Sequence, residues 1–445
     1  MRLYTVPTER SLAVAAPSSG VVVRWLNAAA IFAEWLLGLR LFSVPASSCE
    51  HLVAHSSPAV TRLFGPQNHV RYMFGAFLGA ANSAPYSPYG RWRLGTDLRG
   101  ALLRSLLRVS VARSPLSELP RVRPSAPPTH GPLTAARRKH VLDRVVRRPA
   151  AAAVRIKQPL VVTGLPRTGS TLLHSLLVCD PNAFFLKGDD DSALLAHQLY
   201  PTTTLFPALP HAPLDEKRVA SDYLLEVYVY LKRYIQLFFL DHLEAVPKAH
   251  VLLASPYHSK NLQALLSVFP DARIITTHRS PFKVLPAYAQ HYATIQAPLL
   301  APNSVDAHDF GARVLRDAHE MAAGLTETRR SLRREQSGFV LLPHTDANAD
   351  AEVTSVSEEQ FLDIHYAGLE GNPVETVQEI YTYFGLDYTE AFERAMREYL
   401  KNHPHRDHES GNLATLQKKF GYSKEAIDKE FADYIAEFDI QVEYD

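Results

Sequence analysis

Residues 158–177 read QPLVVTGLPRTGSTLLHSLL, a short apolar run that enters a glycine-bounded turn and leaves it as an apolar-periodic helix. No other stretch limits the fold as tightly. A strand that turns through Gly164, Leu165, Pro166, Arg167, Thr168, Gly169, Ser170 and Thr171 into a helix gathers backbone N–H groups around one point. The positive end of the helix dipole adds to them, so the turn can hold a tetrahedral anion with little side-chain charge. Ser170 and Thr171 bring hydroxyl donors that can also cap the helix.

The identity of the anion is constrained by what is missing. A nucleoside-triphosphate loop, G-x-x-x-x-G-K-[ST], needs a Lys after its second glycine to reach the terminal phosphates. The spacing from Gly164 to Gly169 fits, but Ser170 stands where that Lys belongs. The cation sits inside the loop instead, at Arg167. A nucleotide kinase or NTPase is therefore disfavoured against a protein that handles a different anionic group.

The rest of the chain supplies the frame. Apolar runs at 160–163, 250–254 and 273–277 alternate with helical patterns at 171–177, 261–269 and from Pro281 onward, which predicts an α/β fold, a P-loop-like parallel sheet flanked by helices. Helical periodicity returns at 374–384, 389–402 and 424–437, so the C-terminal part is helical. Six prolines between 115 and 132 mark a connection, dividing residues 1–134, a helical and irregular extension, from the α/β domain at 135–445. Within the extension, 98–111 reads as an amphipathic helix, and 135–148 opens the second unit as a basic helix. The stretch 343–359 is polar and acidic, a surface excursion.

Charge is divided unevenly. Of 47 Lys and Arg, 22 precede residue 161, against 6 of 46 Asp and Glu, a net of +16 there and −15 beyond. A basic half suits a lipid surface, a nucleic acid, a targeting segment or an acidic partner half. The run 21–42 approaches the length of a membrane span, but Arg24, Glu34 and Arg40 interrupt it, so it predicts a buried or surface-lying helix able to make peripheral membrane contact. The opening residues also suit a cleavable transit peptide, while a cytoplasmic location is the default. Two cysteines, Cys49 and Cys179, build no disulfide framework. No histidine spacing points to a metal; His403, His405 and His408 cluster around a proline without a ligand-bearing helix turn.

Four motifs in order make the sequence similar to a known family. The loop G-x-P-R-[ST]-G-[ST]-T is followed by Ser255-Pro-Tyr-His258, by Phe269-Pro-Asp-Ala-Arg-Ile274 and by His278-Arg279-Ser280-Pro281. In this it resembles the sulfotransferases that use 3'-phosphoadenosine-5'-phosphosulfate (PAPS), over residues 157–438. The resemblance implies that Pro166, Arg167, Thr168, Gly169, Ser170 and Thr171 hold the donor's 5'-phosphosulfate. It implies that Arg279 clamps the 3'-phosphate, with Ser280 assisting. Arg167 then stabilises charge on the bridging oxygen during in-line transfer to a hydroxyl or amine.

Candidates for the general base are Asp189 or Asp190, by resemblance, and His258, by the pKa range of imidazole. A lid is implied at 403–421, with Arg406 or Lys418 as auxiliary contacts. Three positions depart from the family pattern: Ala287 replaces a Ser, Ala254 replaces a Lys, and the late basic motif survives only as His403-Pro-His-Arg-Asp-His408. They leave room for a catalytically silent nucleotide-binding homologue. The acceptor is a small molecule, a lipid or a carbohydrate, with no nucleic acid implied. Tyr223, Tyr228, Tyr230, Tyr234, Phe238 and Phe239 suit either an acceptor wall or an ordinary core.

Overall fold

The computed structural model describes residues 21–38, 142, 144–185, 221–240, 250–296, 305–334, 356–403 and 413–443, with isolated positions 41, 58, 62, 87, 88, 90–92 and 300. Five parallel strands form one sheet in the order β2-β3-β1-β4-β5: β1 Leu160–Gly164, β2 Ala183–Phe185, β3 His250–Ala254, β4 Arg273–His278 and β5 Phe361–His365. β1 is central and buried at all five positions, which is why its sequence is an unbroken apolar run rather than an alternating one.

Successive residues of β1 serve opposite faces. Val161 packs into one hydrophobic cluster with Leu253 and Ile274, while Leu160 and Val162 join another with Leu252 and Ile275. Helices cover both. The second cluster takes α2 (Ser170–Leu177), α7 (Tyr366–Gly371), α8 (Pro373–Phe384) and α9 (Glu390–Asn402). The first takes α3 (Ser221–Leu240), α4 (Leu262–Val268), α5 (Pro281–Gln296), α6 (Ala307–Arg334), α10 (Leu413–Phe420) and α11 (Lys424–Glu437). The expected α/β architecture with a helical C-terminal part is what the chain adopts. A further helix, α1, spans Val21–Leu37.

The differences from expectation lie in elements whose sequence signal is weak. β2 has three residues, and β5 carries Asp363 and His365 within its five, so neither reads as an apolar run. α6, 28 residues long, carries a charged face as conspicuous as its apolar one, so no apolar run marks it in the sequence. α2 begins at Ser170 with Gly169 as its N-cap and no side-chain cap, so the capping expected of Ser170 and Thr171 is not made. The expected linker at 115–132, helix 98–111 and transit segment lie outside the described residues. So do most of the acidic excursion and all but part of the basic helix, of which Leu142 and residues 144–147 are helical.

Candidate active site

The sheet winds to both sides of β1, with β3 and β2 on one flank and β4 and β5 on the other. Open α/β sheets bind ligands at the carboxyl ends of such strands. The turn 164–169 leaves that end of β1. Gly164, at φ +134°, lies so close to β4 that an added Cβ would stand 2.4 Å from the Thr277 carbonyl oxygen. Arg167 itself holds φ +70°, an uncommon conformation for a side-chain-bearing residue.

Neutral hydroxyls fasten the turn at its base. The Gly164 N–H donates to Ser259 Oγ (3.1 Å), and Thr163 Oγ1 lies 2.8 Å from that oxygen and donates to the Ser255 carbonyl (2.9 Å). Thr168 is fully buried; its hydroxyl donates to the Leu165 carbonyl (2.6 Å) and lies 2.6 Å from Thr277 Oγ1. The Leu173 N–H is bonded to the Gly169 carbonyl (3.0 Å), so the N–H groups of residues 170–172 have no acceptor within the helix. They are available to an anion.

Two guanidinium groups converge on this turn. Arg167 is half-buried, and burial first, then the charge of Arg279, depress its proton affinity, with Tyr366 acting in the opposite sense. Its Nε is buried without a hydrogen-bond acceptor among the described residues. Arg279 follows the last residue of β4, and its guanidinium carbon lies 4.1 Å from the centroid of the Tyr366 ring. That ring abuts the turn, since a Cβ on Gly169 would meet Tyr366 Cδ2 at 2.9 Å. Two cations close enough to repel, around unpaired N–H donors, are stabilised when an anion sits between them.

The remaining predicted residues fall into three groups. Ser170 and Thr171 sit at the N-terminus of α2, Thr171 exposed, and no hydrogen bond from another described residue engages their hydroxyls. Pro166 is half-buried at the mouth of the turn. Thr168 and Ser280 are committed elsewhere: the Thr168 side chain points inward, and Ser280 Oγ accepts from the Glu443 N–H at 3.2 Å. Thr168 can therefore contribute only its backbone.

His258 lies in the short helical turn Pro256–Lys260, fully buried, with Nδ1 3.0 Å from the Tyr228 hydroxyl. Burial pushes its pKa down to about 3, so it does not keep the near-neutral value that a free imidazole would bring to base work. Asp189, Asp190, Arg406, His405 and His408 lie outside the described residues, whereas Lys418 is exposed on α10. Tyr228, Tyr230, Tyr234 and Phe239 are core residues of α3; the side chains of Tyr223 and Phe238 lie outside the described set. Among the described residues no cluster could hold a metal ion.

Sequence reasoning missed Tyr366, Ser259 and a buried chain beside Arg279. In that chain His278 Nε2 donates to Asp363 Oδ1 (3.0 Å) and Nδ1 accepts from the Tyr434 hydroxyl (2.8 Å). Burial lowers the pKa of His278 despite that carboxylate. Burial alone would raise Asp363, but the hydrogen bond from His278 and the charge of Arg329, 3.1 Å away, hold it below the ordinary carboxylate range. The network locks the end of β4 from which Arg279 projects.

Comparisons with known proteins identify the family and the fold. Residues 159–390 match the model of the Sulfotransferase family. Over 302 residues, 58% of this chain and 70% of the relative, the chain is 25% identical to the omega-hydroxy-beta-dihydromenaquinone-9 sulfotransferase Stf3 of Mycobacterium bovis, and equally to that of Mycobacterium tuberculosis. Its fold is similar to the crystal structure of sulfotransferase STF9 from Mycobacterium avium (TM-score 0.58, 20% identity, covering 87% of this chain and 98% of that one). A comparable likeness, at TM-score 0.54 and 20% identity over 88% and 100% of the two chains, links it to sulfotransferase STF1 from Mycobacterium tuberculosis. The chain belongs to the sulfotransferase family.

Proposed function

From that membership we propose that the chain moves a sulfuryl group from PAPS to the hydroxyl of a small, lipid-like acceptor. The observation that carries this reading is the convergence of Arg167 and Arg279 on a turn that leads into a helix whose first N–H groups, those of residues 170–172, have no acceptor within the helix. The buried, acceptorless Nε of Arg167 fits an anionic group, and the second cation fits a second phosphate. PAPS, when bound, supplies an activated sulfuryl group whose departure leaves charge on a phosphate oxygen.

The chain's residues then have distinct tasks. Backbone N–H groups of 169–172 with Ser170 and Thr171 orient the 5' end. Arg167 neutralises the oxygen on which charge develops. Arg279, its guanidinium supported by the Tyr366 ring, holds the ribose 3'-phosphate. His258 is a neutral brace of the turn that carries Ser259, and the base is assigned to Asp189 or Asp190, supported by the resemblance alone. The name of the Stf3 relatives, which act on a hydroxylated menaquinone derivative, supports a lipid-like acceptor over a carbohydrate.

A catalytically silent homologue is the second reading, motivated by Ala254 and Ala287. Incubation with PAPS carrying labelled sulfate and a panel of hydroxylated isoprenoid quinols distinguishes them. Label transfer that Arg167→Ala abolishes supports the enzyme; adenosine 3',5'-bisphosphate binding without transfer to any acceptor supports the silent protein.

A further inference from the structure

Helix α1 is built inside out. Trp25, Phe32 and Leu36 fall within about 40° of one another on the helical wheel, and Glu34 lies opposite them. A surface helix of a water-soluble protein buries the first set and exposes the second. Here Glu34 is 1% exposed, while Trp25 is 73%, Trp35 70%, Leu36 64% and Phe32 60% exposed. The inner face is held by charge: Glu34 pairs with the buried Arg91 and accepts the Leu41 N–H at 2.7 Å, and Arg91 Nε donates to the Leu41 carbonyl at 3.0 Å. That clasp fixes which side of the helix faces outward.

A contiguous aromatic and aliphatic face of this kind marks a docking surface. The charge of the segment that clasps the helix selects the occupant. Arg91 opens residues 91–160, in which 16 Lys and Arg stand against 3 Asp and Glu, a net of +13, so two such segments repel each other whereas an anionic lipid surface attracts them. Tryptophan and phenylalanine on one face, tied to a basic segment, suit the headgroup boundary. Among the described residues no helix is long and apolar enough to cross a membrane.

We propose that α1 lies in the plane of an anionic membrane surface, with Trp25, Phe32, Trp35 and Leu36 inserted beneath the headgroups and the Glu34–Arg91 clasp tying its other side to the segment around Arg91. This does not depend on the sulfuryl-transfer reading, because lipid binding is measured without turnover.

The three tryptophans, Trp25, Trp35 and Trp92, all lie in this extension, so the full chain reports on itself. Its emission is recorded with vesicles of phosphatidylcholine alone and of phosphatidylcholine with phosphatidylglycerol. The expected result is a blue shift and vesicle co-sedimentation with the anionic mixture, quenching by brominated acyl chains, and reversal in high salt. The double variant Phe32→Asp, Leu36→Asp should partition about tenfold or more weakly while binding adenosine 3',5'-bisphosphate as the wild type does. No blue shift with anionic vesicles, or equal binding to neutral ones, overturns the proposal. So does a lipid-free dimer, seen by analytical ultracentrifugation, that the double variant dissociates, since a second copy would then be the occupant.

Discussion

Gly164→Ala isolates the geometry on which the anion site depends. At φ +134° an alanine is strained, a cost of about 1–3 kcal/mol. Its Cβ would stand 2.4 Å from the Thr277 carbonyl oxygen and 2.7 Å from Thr277 Oγ1, and the first is backbone of a paired strand that cannot rotate away. Overpacking of that kind adds about 1–3 kcal/mol. The sum, about 2–6 kcal/mol, is a large fraction of a typical domain stability of roughly 5–15 kcal/mol. Restoring an ordinary 3.4 Å contact displaces the strand end, and with it the turn, by about 1 Å, a misplacement that can cost on the order of a hundredfold in rate.

Gly385→Ala is the control: φ is +62°, and nothing lies within 4 Å of the added Cβ, so only about 1–2 kcal/mol of backbone cost applies. Urea unfolding and calorimetric titration with adenosine 3',5'-bisphosphate read both variants. Gly164→Ala should lose more stability and most of its affinity, Gly385→Ala should keep its affinity. Equal stability losses, or an unaffected affinity in Gly164→Ala, would refute the reasoning.

Three further outcomes are expected. Ser259→Ala removes the acceptor of the Gly164 N–H and should cost about 1–3 kcal/mol in urea unfolding, with weakened bisphosphate binding; unchanged stability would show that the contact is idle. Tyr366→Phe should bind the bisphosphate like the wild type, because the hydroxyl goes to Glu370 while the ring face meets Arg279, whereas Tyr366→Ala should bind about tenfold more weakly in the same titration. His258 is neutral when folded down to about pH 3, yet its unfolded form takes up a proton near pH 6.5. Stability therefore falls as pH drops through that window, by about 3 kcal/mol at pH 4.5, and His258→Gln should flatten the acid limb of an unfolding-versus-pH series by roughly one proton. An identical acid limb in the variant would contradict the burial of a neutral imidazole.

Local signals made the glycine-bounded turn at 164–169 readable. Its strand, its glycines and the start of its helix are contiguous in sequence, and a fully buried β1 leaves an apolar run with no interruptions. Arg279 was readable for the same reason, at the end of an apolar β4. Tyr366 was not, because it reaches Gly169 and Arg279 only through the pairing of β5 with β4, which sets Thr276 against Asp363 and His278 against His365. A polar residue's spacing also does not reveal what it bonds. Thr168 and Ser280 look like phosphate ligands in sequence, but their hydroxyls bond within the protein, while Ser259, which fastens the turn, carried no distinguishing pattern. In α1 Glu34 was visible as an interruption of the apolar run, but the face it occupies depends on Arg91, 57 residues beyond it.

On the proposed function, Arg167 and Arg279 hold the two ends of one nucleotide. Titration of wild type and Arg279→Ala with adenosine 3',5'-bisphosphate and with adenosine 5'-monophosphate tests it directly. The account predicts that the wild type prefers the bisphosphate and that the substitution erases this preference while leaving monophosphate binding nearly intact. A wild type that binds both equally, or an Arg279→Ala variant that keeps the preference, would contradict it.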